Sequence, residues 1–283
     1  MKMDIGQALS NTVSMTFARI ASLAGLWGVF TIAQLLAFGL LAAVIGGGMM
    51  SLASFGDPMA GAGMSVGVIF GLIVFYGLYL LLYGAQSLAM TAQASPLLEP
   101  NFGRSFSVGL RGAFTFFGVM ILLLIAYFIG AFVFMIAGAV LSFLDELGGV
   151  ILAILAIPAL IYAACRLMII PAVIAVEEVY NPIAVIKRSW QLTGGNVLGI
   201  FVTLLVLLVI FLALFLAVFL VAGSGFSAFT MGSDAPGVGL IVLIVVVIVA
   251  VSIVATAASA ALVASVHAAV SDSNAEELGE TFA

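Results

Sequence analysis

The chain has 283 residues, of which 65% are apolar and 7% are charged, and its formal net charge is -5. Soluble globular domains carry roughly 25% charged residues, so this composition excludes an ordinary soluble protein and makes lipid the solvent for most of the exterior. A single cysteine, Cys165, excludes an internal disulfide framework.

Six stretches are long and apolar enough to cross a bilayer, since about 20 apolar residues at 1.5 Å per residue span roughly 30 Å of hydrocarbon. In chain order the predicted spans are 20–45, 65–90, 113–141, 150–176, 197–221 and 238–264. The β-branched run 240–254 would also suit a buried strand, but a strand ends after about ten residues, so its length favours a helix. The sequence therefore predicts an all-α polytopic membrane protein.

A more polar segment precedes the first, third and fifth spans. Segments 4–20, 101–114 and 181–193 place apolar residues at spacings of three and four with polar residues opposite, which predicts amphipathic helices. Asp4, Asn101 and Asn181 stand where N-caps belong, and Pro182 occupies the favoured first helical position. We expect these helices to lie at the headgroup boundary, although any helix that enters a membrane at a shallow angle shows the same pattern.

These segments divide the chain into three units, each an interfacial helix followed by a transmembrane hairpin. The units cover about 4–95, 101–178 and 181–270, within a single transmembrane domain over residues 1–270. Residues 271–283 carry a cluster of acids and are expected to form a disordered cytoplasmic tail.

The basic residues predict the orientation. Apart from Arg166, they lie before the first span or between the second and third or the fourth and fifth, at Lys2, Arg19, Arg104, Arg111, Lys187 and Arg188. The three opposite loops, 46–64, 142–149 and 222–237, contain no Lys or Arg. The positive-inside rule therefore places both termini in the cytoplasm, in a bacterial-type inner membrane.

Arg166 is the one charged residue well inside a predicted span, where a cation costs roughly 2.5–3.5 kcal/mol. Such a charge indicates a functional site. Arg166 also lies toward the cytoplasmic end of its span, where it would snorkel and pair with Glu177 or Glu178. Pro158 and Pro171 flank it and predict a kinked helix, which either sets packing or shapes a cavity.

A polar stripe follows one face of the second span, at Tyr76, Tyr79, Tyr83 and Gln86. Because polar groups that face lipid lack hydrogen-bond partners, we expect this stripe to face other helices. It would form interhelical hydrogen bonds or line a polar passage.

The chain offers few residues for chemistry. One histidine, His267, and one cysteine are too few for a metal site or a nucleophilic triad. We therefore expect no catalytic residue, no metal and no cofactor, and an interfacial position for His267 at the cytoplasmic end of the sixth span.

The segment 166–195 carries a pattern formed by Arg166, Pro171, Glu177, Ala184, Arg188, Ser189, Trp190, Leu192, Thr193 and Gly195. It resembles the glycerophosphodiester phosphodiesterase membrane-domain family and related bacterial six-helix inner-membrane proteins of unassigned function. In some members the membrane part is fused to a soluble phosphodiesterase domain, which needs histidines and clustered carboxylates. This chain carries one histidine, so the resemblance implies the membrane architecture and not that activity.

Two sets of candidate residues follow from this segment and its neighbours. The candidate functional or structural residues are Arg166, Pro171, Glu177, Glu178, Asn181, Arg188, Ser189 and Trp190. Cations suited to lipid phosphates, worth about 1 kcal/mol each near an anionic leaflet, are Arg104, Arg111, Lys187 and Arg188. Trp190 suits the aromatic belt at a membrane interface.

Two functions are compatible with these features. The first is a non-enzymatic scaffold or accessory subunit that associates with lipid or with a membrane complex. The second is a small transporter, channel or lipid-handling protein with a polar path around Arg166. The expected partners are anionic headgroups at the cytoplasmic face and other membrane subunits or a second copy of the chain, with no nucleic acid.

Overall fold

The computed structural model describes residues 3–54, 58–144, 148–230 and 238–282. The regular elements within these ranges are all helices: α1 Ile5–Ala18, α2 Ile20–Ser54, α3 Pro58–Ala94, α4 Phe102–Leu144, α5 Gly148–Leu167, α6 Ile170–Ala175, α7 Pro182–Leu192, α8 Val197–Thr230 and α9 Val238–Phe282. No described residue lies in a strand. The all-α prediction is confirmed.

The six predicted spans are confirmed as helical segments of membrane-crossing length and hydropathy. They are Ile20–Ala43, Ile69–Ala94, Phe102–Leu141, Ile154–Ala175, Val197–Leu216 and Val242–Ser271. Their apolar side chains are largely exposed, as expected where lipid replaces water as the surrounding solvent. The protein is a multi-pass integral membrane protein.

The helices extend beyond the predicted spans. Predicted loop 46–64 is helical except at 55–57, which lie outside the described residues, because α2 reaches Ser54 and α3 begins at Pro58. At the other end of the chain, α9 continues as a helix to Phe282, where a disordered tail over 271–283 is predicted. Hydropathy locates a span but does not stop a helix, which ends only where capping or backbone chemistry ends it.

The three amphipathic segments have different outcomes. Segments 4–20 and 181–193 contain the separate helices α1 and α7, whereas 101–114 forms the first turns of the continuous helix α4. In that segment the helix continues without a break into the span.

The three N-cap predictions are confirmed. The side-chain oxygens of Asp4 and Asn101 accept hydrogen bonds from backbone N–H groups three residues later, at 3.0 and 2.9 Å. Asn181 accepts from Ile183 and Ala184 at 3.0 and 3.2 Å. Each cap satisfies N–H groups that have no partner inside the helix.

Helix α1 packs chiefly against α9, which lies in the third predicted unit. Its buried residues are Ala8, Thr12 and Thr16, and the threonine hydroxyls donate to carbonyls four residues earlier at 2.7 Å. Val13 and Phe17, which belong to the predicted apolar stripe, are exposed. Small residues allow the two helix backbones to approach closely, so α1 turns its small face inward and its bulky face outward.

Close packing is concentrated in one half of the bundle. Buried side chains such as Leu26, Phe30 and Met90 form one cluster, and Leu88, Ile174 and Val266 belong to a second. In the opposite halves of the spans, most described apolar side chains of α4, α5, α8 and α9 are exposed. The tightly packed half is therefore the part of the molecule in which a precise site can be held.

Candidate functional site

The cationic segments and both terminal helices meet at one end of the bundle. We call this the charged end and define it by Arg19, Arg104, Glu177, Arg188 and His267 with their contacts. Since six spans return the chain to its starting side, a shared end for both termini agrees with the predicted topology.

The charged end is organised around a break in the fourth span. Helix α5 ends at Leu167 and α6 begins at Ile170, so the predicted continuous span 150–176 is two helices. Pro171 lies in the first turn of α6, where its missing N–H costs nothing, whereas in a continuous helix it would leave the Leu167 carbonyl without a donor. Pro158 stays inside α5, so where the prolines predicted a kinked helix the structure has a break beside Pro171.

Helix α7 supplies the hydrogen bond that the break requires. The Ser189 hydroxyl is fully buried and donates to the Arg166 carbonyl at 2.6 Å. The Thr193 hydroxyl, also buried, donates to the Ser189 carbonyl at 2.8 Å. The last carbonyls of a helix have no partner within it, so Ser189 satisfies one that the early end of α5 exposes.

Arg166 is held between two aromatic side chains. Its Nε and Nη2 donate to the Tyr162 hydroxyl at 3.0 and 2.6 Å, and its Nη1 donates to the Trp190 carbonyl at 2.8 Å. The guanidinium carbon lies 5.1 Å from the Tyr162 ring centroid and 5.0 Å from that of Trp190, within the range of cation–π attraction. The expected pairing of Arg166 with Glu177 or Glu178 is wrong, because its guanidinium bonds to Tyr162 and Trp190 instead. The two carboxylates bind Arg188 and Arg104.

Glu177 joins helices α7 and α9 to the segment that follows α6. Arg188 of α7 donates to its carboxylate at 2.7 and 3.2 Å, and His267 Nε2 of α9 lies 3.0 Å from its Oε1. A carboxylate only accepts hydrogen bonds, so Nε2 carries the proton in this contact. The predicted proximity of Glu177 to Arg188 is confirmed.

The pKa of Glu177 reports the balance of these contacts. Burial raises the pKa of this carboxyl, but the hydrogen bonds and charges of His267 and Arg188 outweigh it and lower the value from 4.5 to about 2. The Glu177 side chain is 21% exposed and that of His267 is 2% exposed. Glu177 is therefore ionised at neutral pH and fixes α7 and α9 to the segment that follows α6.

His267 is the residue of this cluster that sequence reasoning missed, since we expected an interfacial position with no particular partner. A lone histidine in an apolar helix carries no signal of a partner 90 residues away. Its Nδ1 is buried and has no hydrogen-bond partner within the described part of the chain.

Glu178 makes a weaker contact at the surface. Arg104 Nη2 donates to it at 3.2 Å, and the two side chains are 52% and 46% exposed. Exposed pairs of this kind contribute about 0–1 kcal/mol. Glu178 also adopts a positive φ of 53°, a conformation that side chains with a Cβ rarely adopt.

Arg19 closes the end of α3. Its Nη1 donates to the carbonyls of Gln93 and Ser95 at 2.7 and 2.8 Å, and its Nη2 reaches that of Leu98 at 3.5 Å. Burial lowers the pKa of Arg19. From the sequence, Arg19 contributed only to the predicted membrane orientation, because nothing near it indicates carbonyl partners more than 70 positions away.

The four predicted headgroup cations fall into two pairs. Arg104 and Arg188 are bound by Glu178 and Glu177, which offset their charges. Arg111 and Lys187 are exposed, and neither forms an ion pair with any residue that the structure describes.

The four residues of the polar stripe on the second span lie in different surroundings. Tyr76 and Tyr79 are exposed and pack their rings against Phe75, so the expectation that the stripe faces other helices is wrong for them. Gln86 is buried and accepts a hydrogen bond from Gln34 at 3.0 Å, as expected for an interhelical contact. Tyr83 is half exposed and packs against Phe116 of α4.

Across the described residues, no group of three or more His, Cys, Asp or Glu side chains is placed to hold a metal ion. No family model, curated protein or solved structure matches the chain. The resemblance carried by segment 166–195 therefore stays a prediction.

Proposed function

We propose that this protein is a non-enzymatic membrane scaffold or accessory subunit whose charged end associates with anionic phospholipid at the cytoplasmic face of a bacterial inner membrane. The observation that supports this proposal is that some of the cations are paired with carboxylates and others are not. Arg104 and Arg188 are ion-paired, whereas Arg111, Arg166 and Lys187 form no ion pair within the described residues. A headgroup phosphate would supply the missing anion.

The surroundings of these cations suit a membrane surface. Trp190 is 43% exposed on the same helix as Lys187, and Arg166 binds the Trp190 carbonyl. Trp prefers the interfacial belt, and Arg binds phosphate through its planar array of donors. Because Tyr162 and Trp190 hold the guanidinium in place, Arg166 would lose little side-chain entropy on binding an anion.

The transporter alternative has less support. A polar path would need the Tyr76–Gln86 stripe and Arg166 to line one passage. Tyr76 and Tyr79 instead lie on an exposed face, Gln86 bonds to Gln34, and Arg166 bonds to residues of α5 and α7. The positions of these side chains favour an anchored, lipid-associated protein over a polar conduit.

Native mass spectrometry of the protein, purified gently from its own membrane, tests this proposal. We expect retained anionic phospholipid whose affinity falls about fivefold in Lys187→Gln or Arg111→Gln, since each cation contributes about 1 kcal/mol. Arg104→Gln is the matched control, because Glu178 already neutralises that cation. Equal retention by all three variants, or no retained anionic lipid in the wild type, would refute the proposal. Stoichiometric protein subunits in the same spectra would identify the complex that the protein serves.

A further inference from the structure

A cavity of about 340 Å³ lies beside the break between α5 and α6, with walls from α3, α4 and α9. Its volume falls within the range of small-ligand sites, roughly 300–1,000 Å³. Its polar side chains are Tyr83, Gln86, Ser87, Thr91, Thr256 and Ser259, and the rest of the lining is apolar. The early end of α5 helps to form this space, because Leu167, Met168 and Pro171 line it from the break.

The polar lining offers both hydrogen-bond acceptors and donors. The hydroxyls of Thr91, Thr256 and Ser259 donate to carbonyls four residues earlier at 2.7, 2.7 and 2.9 Å, which leaves their oxygens as acceptors. Gln86 accepts from Gln34 through its Oε1, so its amide nitrogen is left to donate. The Tyr83 hydroxyl adds a second donor on the same helix.

Among the described residues, no Asp, Glu, His, Lys or Arg lines this cavity. A phosphate or ammonium group placed there would lose its hydration without gaining a counter-charge, which is costly at membrane depth. Neutral carbonyl and hydroxyl groups lose less hydration free energy on burial, and the polar side chains of the cavity wall can hydrogen-bond to them. The lining therefore selects a neutral, hydrogen-bonding headgroup, in contrast to the cations at the surface of the charged end.

The cavity opens sideways toward lipid, because Tyr83 and Ser259 in its wall are both exposed. Along α4, the lining residues Met120 and Leu123 are followed at helical spacing by Tyr127, Gly130 and Phe134, which line a second, apolar groove of about 660 Å³ between α4 and α5. From Leu123 to Phe134 the helix rises about 16 Å, close to the roughly 15 Å thickness of one hydrocarbon leaflet. One face of α4 thus joins the partly polar cavity to an apolar groove along which an acyl chain can lie.

We propose that the cavity between α3, α4, α6 and α9 binds a neutral long-chain lipid of the diacylglycerol type, with its carbonyl and hydroxyl oxygens against the polar wall and a chain along the α4/α5 groove. The Gln86 amide and the Tyr83 hydroxyl donate to the ester carbonyls, and the threonine and serine oxygens accept from the lipid hydroxyl. This site is separate from the anionic-lipid contacts of Lys187 and Arg111, and either proposal can fail without the other.

Photolabelling of the full chain in nanodiscs tests the site directly. The probe is a diacylglycerol with a diazirine in its acyl chain, and the comparison probe is phosphatidic acid with the same chain. We expect adducts from the diacylglycerol on 123–135 and 152–160, which line the groove that holds the labelled chain. We also expect competition by unlabelled diacylglycerol and at least about fivefold weaker labelling by phosphatidic acid, whose charge is costly to bury. Adducts spread evenly over exposed helix faces, or equal labelling of these segments by both probes, would overturn the proposal.

Two variants and a matched control locate the binding. Ala260→Leu adds bulk to a buried wall residue and should abolish the competed labelling. Tyr83→Phe removes one hydroxyl without changing shape and should reduce labelling about threefold or more, as expected for one lost hydrogen bond. Tyr79→Phe removes the same group from the exposed face one turn away and should leave labelling unchanged. Equal labelling of the two tyrosine variants would overturn the proposal, even if Ala260→Leu fails to fold.

Discussion

Replacing Glu177 with glutamine removes the charge that joins α7 and α9 to the segment after α6 while keeping the size of the side chain. Arg188 and His267 would then face a neutral amide in place of a carboxylate. The neighbouring substitution Glu178→Gln removes the same charge one residue away from an exposed pair with Arg104. The two variants therefore differ in structural context and not in net charge.

The lowered pKa of Glu177 gives the size of the stability loss expected for Glu177→Gln. A folded pKa of about 2 against an ordinary 4.5 corresponds to roughly 3 kcal/mol favouring the ionised form, at about 1.36 kcal/mol per pH unit. Screening at a partly exposed side chain and the neutral hydrogen bonds that glutamine keeps reduce this, so we expect Glu177→Gln to cost about 2 kcal/mol. Glu178→Gln should cost less than about 0.5 kcal/mol.

Thermal unfolding in mild detergent, followed by intrinsic tryptophan fluorescence, measures both variants. At roughly 2–4 °C per kcal/mol, Tm should fall by about 4–8 °C for Glu177→Gln and by about 1 °C for Glu178→Gln.

The pH dependence gives a second readout. Because the folded pKa of Glu177 is lowered, its contribution is fully present above about pH 4.5 and is lost as the pH falls toward about 2. The difference in Tm between wild type and Glu177→Gln should therefore shrink in acid. Equal Tm losses in the two variants at neutral pH, or a difference that persists at about pH 2, would refute this account of Glu177.

Three further predictions concern packing and caps. Gly109→Ala should lower Tm, because its Cβ would lie 2.5 Å from the Ala85 carbonyl oxygen and overpacking costs about 1–3 kcal/mol. In the control Gly77→Ala the added Cβ meets nothing within 4 Å, so Tm should stay unchanged or rise. Ser189→Ala should cost about 1 kcal/mol by leaving the Arg166 carbonyl without its 2.6 Å hydrogen bond; an unchanged Tm would show that another group satisfies this carbonyl. Asn181→Ala should cost about 1 kcal/mol by uncapping α7, with Asn181→Ser restoring most of it, and a failed rescue would contradict the capping role.

Features governed by local chemistry could be predicted from the sequence. Hydropathy located six spans, and the residues at Asp4, Asn101 and Asn181 located three helix starts, because N-capping involves only the next two or three residues. Pro171 indicated the disturbance in the fourth span for the same reason, although the sequence did not show that α5 ends before it. The boundary between 101–114 and its span was mispredicted because amphipathicity describes the faces of a helix and not its end.

The charged end shows where sequence reasoning stops. Arg166, Glu177, Arg188, Ser189 and Trp190 were selected together, and the structure brings them to one region. Their pairings were only partly foreseen, because Arg166 contacts aromatic rings and Glu177 binds His267. Which acid meets which base depends on how far each helix is rotated about its axis.

The sequence by itself therefore determines the solvent of this protein, the number of its spans and the starts of several helices, since the bilayer requires each segment to satisfy its own backbone and bury its own apolar length. Only the tertiary structure decides that α1 packs on α9, that Arg19 closes α3, and that a partly polar cavity lies beside the break in the fourth span. In lipid nearly every helix face is apolar, so hydrophobicity does not determine which helices pack against each other. Small residues and a few long-range hydrogen bonds determine the packing partners, and they act only once the helices are in contact.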